Sequence, residues 1–519
     1  MNDPGHVEIG LNENDVNKVV YYGSQEQSPQ SSPAHSVASS DDDQRPLVSG
    51  GQSPLESGPS QEEPTLLSES NEEVKPVEKL SSVPAAVLNV INSIIGSGIV
   101  GMPFALKEGG IGMAVLLIIV VGVLTDYSLQ LLIAAGLQSK TSTYQDVMQV
   151  AFGRPGFYLI SLLQFANPFL AMTSYNIIAG DTIEKIVYRT ASESVKNSVL
   201  GNRQFILFLF TIFISMPLSC YRNIAKLSKF SACAILSISF VTVFIMVRAV
   251  TMAREVPKTD DAWIFAEDGI VQAMGIITTA YLCHHNSFLI FRSLKEPTQQ
   301  CWNKVVHISV GSSMVASLVF GLFGYITFTG YTQGDLLENY CYSDDYANVT
   351  RLIFTFSVML TYPIECFVTR EVIENLLFGA KQPATLLRHM LVTLALVLAT
   401  GGISMVTNCL GIVLELNGAL AAIPMCFILP CLSYMKISHD NGDKILQIKN
   451  IFPTIVAITG IAFSVVGLVL VLKSIVDGSA FRCSDAEEMG YCYDINQVRN
   501  SSYVSAEASL IETWSNSTN

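Results

Sequence analysis

Asn92, Ser93, Gly96, Ser97 and Gly98 crowd into the middle of the stretch NVINSIIGSGIVGMPFA (89–105). The stretch is apolar enough to enter a membrane, yet its centre is made of poor helix formers and is followed by Gly101 and Pro103. A backbone group left unsatisfied in lipid is costly, so a helix breaks there only where protein or a water-filled cavity lines the gap. Glycine lets the main chain leave helical angles. The freed N–H groups then attract a carboxylate, and the freed carbonyls a small cation. Close packing of small residues is the other reading of such a run, but Gly96-Ser97-Gly98 with Gly101 and Pro103 exceeds what packing requires.

Two further groups carry chemistry. In IITTAYLCHHNSFLIFR (276–292), the polar group Cys283-His284-His285-Asn286 interrupts a second apolar run. The two imidazoles suit either a hydrogen-bond network or proton sensing near neutral pH. In LTYPIECFVTREV (360–372), Thr361 offers a hydroxyl beside Pro363, which lacks an N–H and so frees a nearby carbonyl. With an amide oxygen such as that of Asn92, these are hard-oxygen ligands suited to a small cation. Glu365 lies four residues after Thr361, on roughly the same helical face, and an intramembrane carboxylate needs a partner or a role. Glu415, in LGIVLELNGAL (410–420), raises the same question.

The elements that must hold these groups are membrane helices. Half of the 519 residues are hydrophobic, 14% are charged, and mean hydropathy is +0.41; a soluble domain has about 25% charged residues. The net charge of -14 and the lack of a basic stripe or phosphate loop argue against nucleic acid or nucleotide. A crossing helix needs about 20 apolar residues, and by that measure about eleven spans follow Ser82. They centre near Ile94, Val120, Phe169, Ile212, Ser239, Ile277, Leu318, Met359, Leu396, Ala422 and Val465. Spans one and six, both interrupted, occupy corresponding places in two five-helix halves, the pattern of an inverted-repeat carrier with its site between the halves.

The ends read differently. Residues 1–80 begin without a signal peptide. They are rich in Ser, Pro, Gln and acids, a composition expected to stay disordered. Within them Glu62–Leu67 (EEPTLL) fits an acidic dileucine address for a sorting adaptor. Residues 81–476 form the transmembrane domain, and 477–519 a second tail. Asn348, Asn500 and Asn516 fit the glycosylation pattern and all follow an odd number of spans. Most loop Lys and Arg, including Arg222, Lys226, Lys295, Lys381 and Lys444, agree with a cytoplasmic amino terminus and an extracellular or lumenal carboxyl terminus; Lys185, Arg189 and Lys196 dissent. Most of the eleven cysteines fall in or beside spans and read as apolar packing. Cys341, Cys483 and Cys492 fall in outer segments where a disulfide persists, and their pairing is left open.

Over about residues 80–476 the chain resembles the sodium-coupled neutral amino acid transporter family, within the amino acid/auxin permease group. The motifs are NSIIGSGIVGMPFAL, AYLCHHNSFLIF, TYPIECFVTREV and LGIVLELNGALAAIPMCFILP. The resemblance implies an all-α polytopic protein with the leucine-transporter fold: a 5+5 inverted repeat, one extra helix, and discontinuous helices 1 and 6. It implies sodium as coupling ion at Asn92 and Thr361, and a neutral amino acid held by Ser93, Gly96, Ser97, Gly98 and the segment beginning at Cys283 and His284. Ser174 and Tyr175, in MTSYN, match the cavity-lining part of span three.

The expected function is secondary active transport of a neutral amino acid, and no enzyme constellation is found. A proton-coupled carrier using His284, His285 or Glu365, and a sensor signalling through its amino-terminal tail, are the alternatives. The plasma membrane is the expected residence, with endosome or lysosome as the alternative.

Overall fold

The computed structural model describes residues 81–220, 231–378, 385–444, 447–478, 480 and 489–493. The tail 1–80 with its Glu62–Leu67 motif, Cys483, Asn500, Asn516 and most of the chain beyond 478 lie outside the described residues. Within them all regular structure is helical, apart from an isolated bridge between Ser81 and Leu294.

In chain order the main helices are α1 (Val83–Ile94), α2 (Met102–Gly109), α3 (Ile111–Ser139), α4 (Tyr144–Thr190), α5 (Arg203–Phe210), α6 (Ser231–Thr251), α7 (Ile270–Tyr281) and α8 (Ser287–Ser293). There follow α9 (Gln299–Phe328), α10 (Asp345–Phe378), α11 (Leu386–Val406), α12 (Leu410–Asn417), α13 (Leu429–Asp440) and α14 (Ile448–Val476). The sequence dictates most of these. α3, α6, α9 and α14 are long apolar runs, and α3, α6 and α14 keep Leu, Ile, Val and Phe exposed along one side, as helices bordering lipid must. Pro at the first turn of α1 and α2 fits positions whose N–H has no helical partner.

Each expected centre falls in a helical region, but not every one is an unbroken span. Among the described residues, eight single helices are long and apolar enough to cross a bilayer, counting Leu410–Asp440 as one, and the α1–α2 pair, bent by 51°, makes a ninth. The stretches near Ile212 and Ile277 are assembled from shorter pieces. In the first, α5 passes through a π turn at Thr211–Ser215 into Met216–Ser219. π turns also join α12 to α13 at Gly418–Ala422 and Pro424–Ile428. α4 runs on through Pro168 and is kinked at Gly153, whose φ of 68° suits glycine.

Two side chains have partners that the sequence did not indicate. Cys409, at the start of α12, is disulfide-bonded. Asn348, read as a glycan acceptor, is buried: its Nδ2 donates to Tyr342 O at 2.8 Å and its Oδ1 accepts from Arg351 Nη1 at 2.5 Å. The α9–α10 connection folds inward, and this amide closes it. The open question of cysteine pairing resolves in part, as Cys341 is bonded to Cys492.

Candidate binding site between broken helices

The first break begins where α1 ends at Ile94. Ile95 (φ -84°, ψ 71°) and Gly96 (φ -103°, ψ -151°) leave the helix, and a 3₁₀ turn at Ser97–Gly101 leads into α2. Across the break, Ile95 N donates to Ile91 O at 2.7 Å, Gly96 N to Ile94 O at 3.0 Å and Ile99 N to Gly96 O at 3.4 Å. Nothing lies within 4 Å of where a Cβ would stand on Gly96, so its main chain faces open space. Gly98 serves the opposite purpose. A Cβ there would stand 2.9 Å from Ala280 Cα, so the bare backbone lets the two broken spans touch.

The second break follows Tyr281. Leu282 is extended, Cys283 is irregular, and a single 3₁₀ turn of His284–Asn286 precedes α8. Cys283 and His284 are buried, and His284 Nε2 is 2.9 Å from Ser128 Oγ of α3. Asn286, which sequence marked only as part of the interrupting polar group, donates from Nδ2 to Ser93 Oγ at 3.3 Å. The two discontinuities therefore abut, joined by an amide and a hydroxyl. Sequence signalled only that both runs were interrupted; side-chain pairing across 193 positions has no local trace.

Around the breaks several buried polar atoms have no partner among the described residues: Thr125 Oγ1, Ser313 Oγ and the Nδ1 atoms of His284 and His285. They belong to α3, to the sixth span and to α9, whose packing extends to α1 and the first break. Buried polar groups are almost always satisfied, so such atoms mark where water or solute completes the bonding.

The other expected residues are placed as follows. Asn92 is half-buried near the end of α1, beside Ser93; Ser97 lies in the 3₁₀ turn. Ser174 is buried and returns its hydroxyl hydrogen to Leu170 O of its own helix, at 3.1 Å. Tyr175 is buried, its ring 6.5 Å from that of Tyr362 on α10. Thr361 is half-buried, and Oγ1 donates to Val358 O at 2.7 Å. The Glu365 carboxylate, one turn on, has no hydrogen-bond partner among the described residues. α1 packs on α6, α8 and α9, whereas α10 packs on α4, α6 and α11. Asn92 and Thr361 thus stand on helices that share no extended packing face.

Residues 79–475 match the model of the family described as transmembrane amino acid transporter protein. The chain is 44% identical over 411 residues to the "Putative sodium-coupled neutral amino acid transporter 11" of Bos taurus, covering 79% of this chain and 86% of that one. It is 43% identical over 412 residues to the protein of the same name in Danio rerio, covering 79% and 90%. A more distant relative is "Vacuolar amino acid transporter 2" of Saccharomyces cerevisiae (strain ATCC 204508 / S288c), 32% identical over 373 residues, with 69% of this chain and 77% of that one covered.

Proposed function

This chain belongs to the transmembrane amino acid transporter protein family, is a multi-pass membrane protein and transporter rather than an enzyme, and we propose that it is a secondary active carrier of neutral amino acids coupled to sodium. The observation that carries the reading is the pair of breaks at 95–101 and 282–286, abutting through Ser93 and Asn286. Bare main chain between half-helices can hold both ends of a zwitterion: N–H groups take its carboxylate, and carbonyls its ammonium. Ser93, Gly96, Ser97, Gly98, Cys283 and His284 make up that seat, with Ser174 and Tyr175 along its α4 side. The architecture is read as two inverted five-helix halves plus α14, rocking around the seat to give alternating access.

Asn92 and Thr361 supply the sodium ligands. Thr361 gives its hydrogen to Val358 O, which leaves the lone pairs of Oγ1 free to face a cation. α1 and α10 close on each other as the ion enters, and cation and carboxylate then offset each other's desolvation. The amino terminus is cytoplasmic, and the α9–α10 connection and carboxyl-terminal segment are extracellular or lumenal, at the plasma membrane or in endosome or lysosome.

Radiolabelled amino-acid uptake into proteoliposomes, run separately against sodium and pH gradients, tests the proposal. Uptake should need inward sodium and fall at least tenfold in Asn92→Ala and Thr361→Ala, about 1.4 kcal/mol of lost ligation. Uptake indifferent to sodium would remove these residues from the mechanism. The unpartnered Nδ1 atoms of His284 and His285 support a second reading, proton coupling at His284, His285 or Glu365, which would appear as uptake driven by outside acidity alone.

A further inference from the structure

The connection between α9 and α10, residues 329–344, is buried along most of its length: Thr329, Thr332, Leu336, Leu337, Asn339 and Tyr340 are almost fully enclosed. It lies against Gly101, just before α2, and Gly411, at the start of α12. A Cβ on Gly334 would stand 2.4 Å from Gly411 N at the start of α12, and one on Gly101 would approach Gly334 O at 3.8 Å. From α2, Lys107 Nζ donates to Thr332 O at 3.2 Å. On the carrier reading above, this loop closes the outer mouth over α2 and α12.

What holds the loop there comes from about 150 residues away in sequence. Cys492 is bonded to Cys341, and Tyr491 OH donates to Asn339 O at 2.6 Å. The Tyr491 ring also lies 6.0 Å from Phe328 and 5.7 Å from Tyr331. Asn339 passes the restraint along the loop: its Nδ2 donates to Tyr331 O at 2.7 Å, and its Oδ1 accepts from Gln333 N at 2.8 Å, next to Gly334. The same carboxyl-terminal region is tied to the end of α11, where Thr407 Oγ1 donates to Ala480 O at 2.9 Å.

We infer that residues 489–493 are a working part of the outer gate, with Tyr491 and Cys492 as positioning residues that hold residues 329–344 down over α2 and α12. The segment is thus more than a trailing tail: releasing it lets the loop lift, and the outer mouth stays open for a larger share of each cycle. The inference rests on the carrier reading, and one of its two measurements does not depend on transport.

That measurement uses Thr332→Cys in the full-length chain, labelled from outside by a membrane-impermeant maleimide. The site is enclosed with the loop down and should react slowly. In the Cys341→Ser/Cys492→Ser background, which adds no new thiol, it should react at least fivefold faster. Tyr491→Phe keeps the rings and loses one hydrogen bond, so labelling should quicken about fivefold, the shift set by about 1 kcal/mol. The second measurement is uptake per molecule at the surface. Both variants should lower the maximal rate while leaving KM unchanged or smaller, whereas mere misfolding lowers surface amount at constant rate per molecule. Unchanged labelling in both variants would overturn the gate assignment whether or not the protein carries amino acids. Faster labelling with no wild-type uptake would retain the gate and remove the carrier.

Discussion

Asp335 sits in the buried α9–α10 connection, its Oδ1 accepting from Leu337 N at 2.9 Å. Burial, reinforced by the nearby Glu338 charge, pushes its pKa up to about 7 from 3.8. The folded protein therefore favours the neutral acid. Above pH 7 the ionised side chain burdens the fold, and the burden lifts as pH falls from about 8 toward 4. Asp335→Asn keeps the acceptor and removes the charge. It should raise thermal stability at pH 8 by an amount on the order of 2–4 kcal/mol, with the gain vanishing by pH 4. Paired melting curves in detergent check this; an equal gain at both pH values would show that charge burial is not the cause. None of this could be read locally, because the acidic stretch DLLEN (335–339) looks solvated, and only the enclosure of residues 329–344 makes the carboxylate costly.

At the scale of elements, the two glycines of the first break do different work, and substitution should separate them. A side chain on Gly98 meets the Ala280 backbone at 2.9 Å, while Gly96 faces open space in a conformation other residues accept. Gly98→Val should force α7 away from the first break, cost about 1–3 kcal/mol and abolish uptake. Gly96→Ala should leave folding intact and raise KM by placing a methyl where solute binds. Melting temperature and uptake kinetics for both variants decide it; similar melting temperatures would contradict the close approach of the two spans. The interruptions themselves were plain in the sequence, since glycine, serine and proline have few uses in mid-bilayer. Their junction through Asn286 and Ser93 was not, because an asparagine within HHNS reads as one more polar residue.

For the whole molecule, topology is the property on which the gate and the site both depend. An epitope at the amino terminus should be unreachable by antibody on intact cells, and one after residue 493 reachable, with both reachable after permeabilisation. Glycan loss, read as a mobility shift, should follow Asn500→Gln or Asn516→Gln and not Asn348→Gln, whose amide nitrogen is turned inward to Tyr342 O. A shift from Asn348→Gln alone would mean that the α9–α10 connection is modified before it folds down. The interrupted stretch near Ile277 matters equally here: α7 and α8 are each too short to cross, the 3₁₀ turn of His284–Asn286 joins them, and the carrier reading takes the two together as one span.

The sequence alone determined that this is a bundle of membrane helices with two of them interrupted, because lipid supplies no hydrogen bonds and so leaves the chain few ways to cross. It likewise marked Asn92, Gly96, His284 and Thr361 as chemistry out of place in hydrocarbon. Tertiary structure decided which of these groups meet: the two breaks touch through Ser93 and Asn286, while α1 and α10 stand without a shared face. It also decided that a connecting loop is buried and is bonded through Cys341 to Cys492, 151 residues further along the chain. Backbone satisfaction is a local constraint that composition reveals, whereas contact between distant segments is fixed only when every helix has found its neighbours.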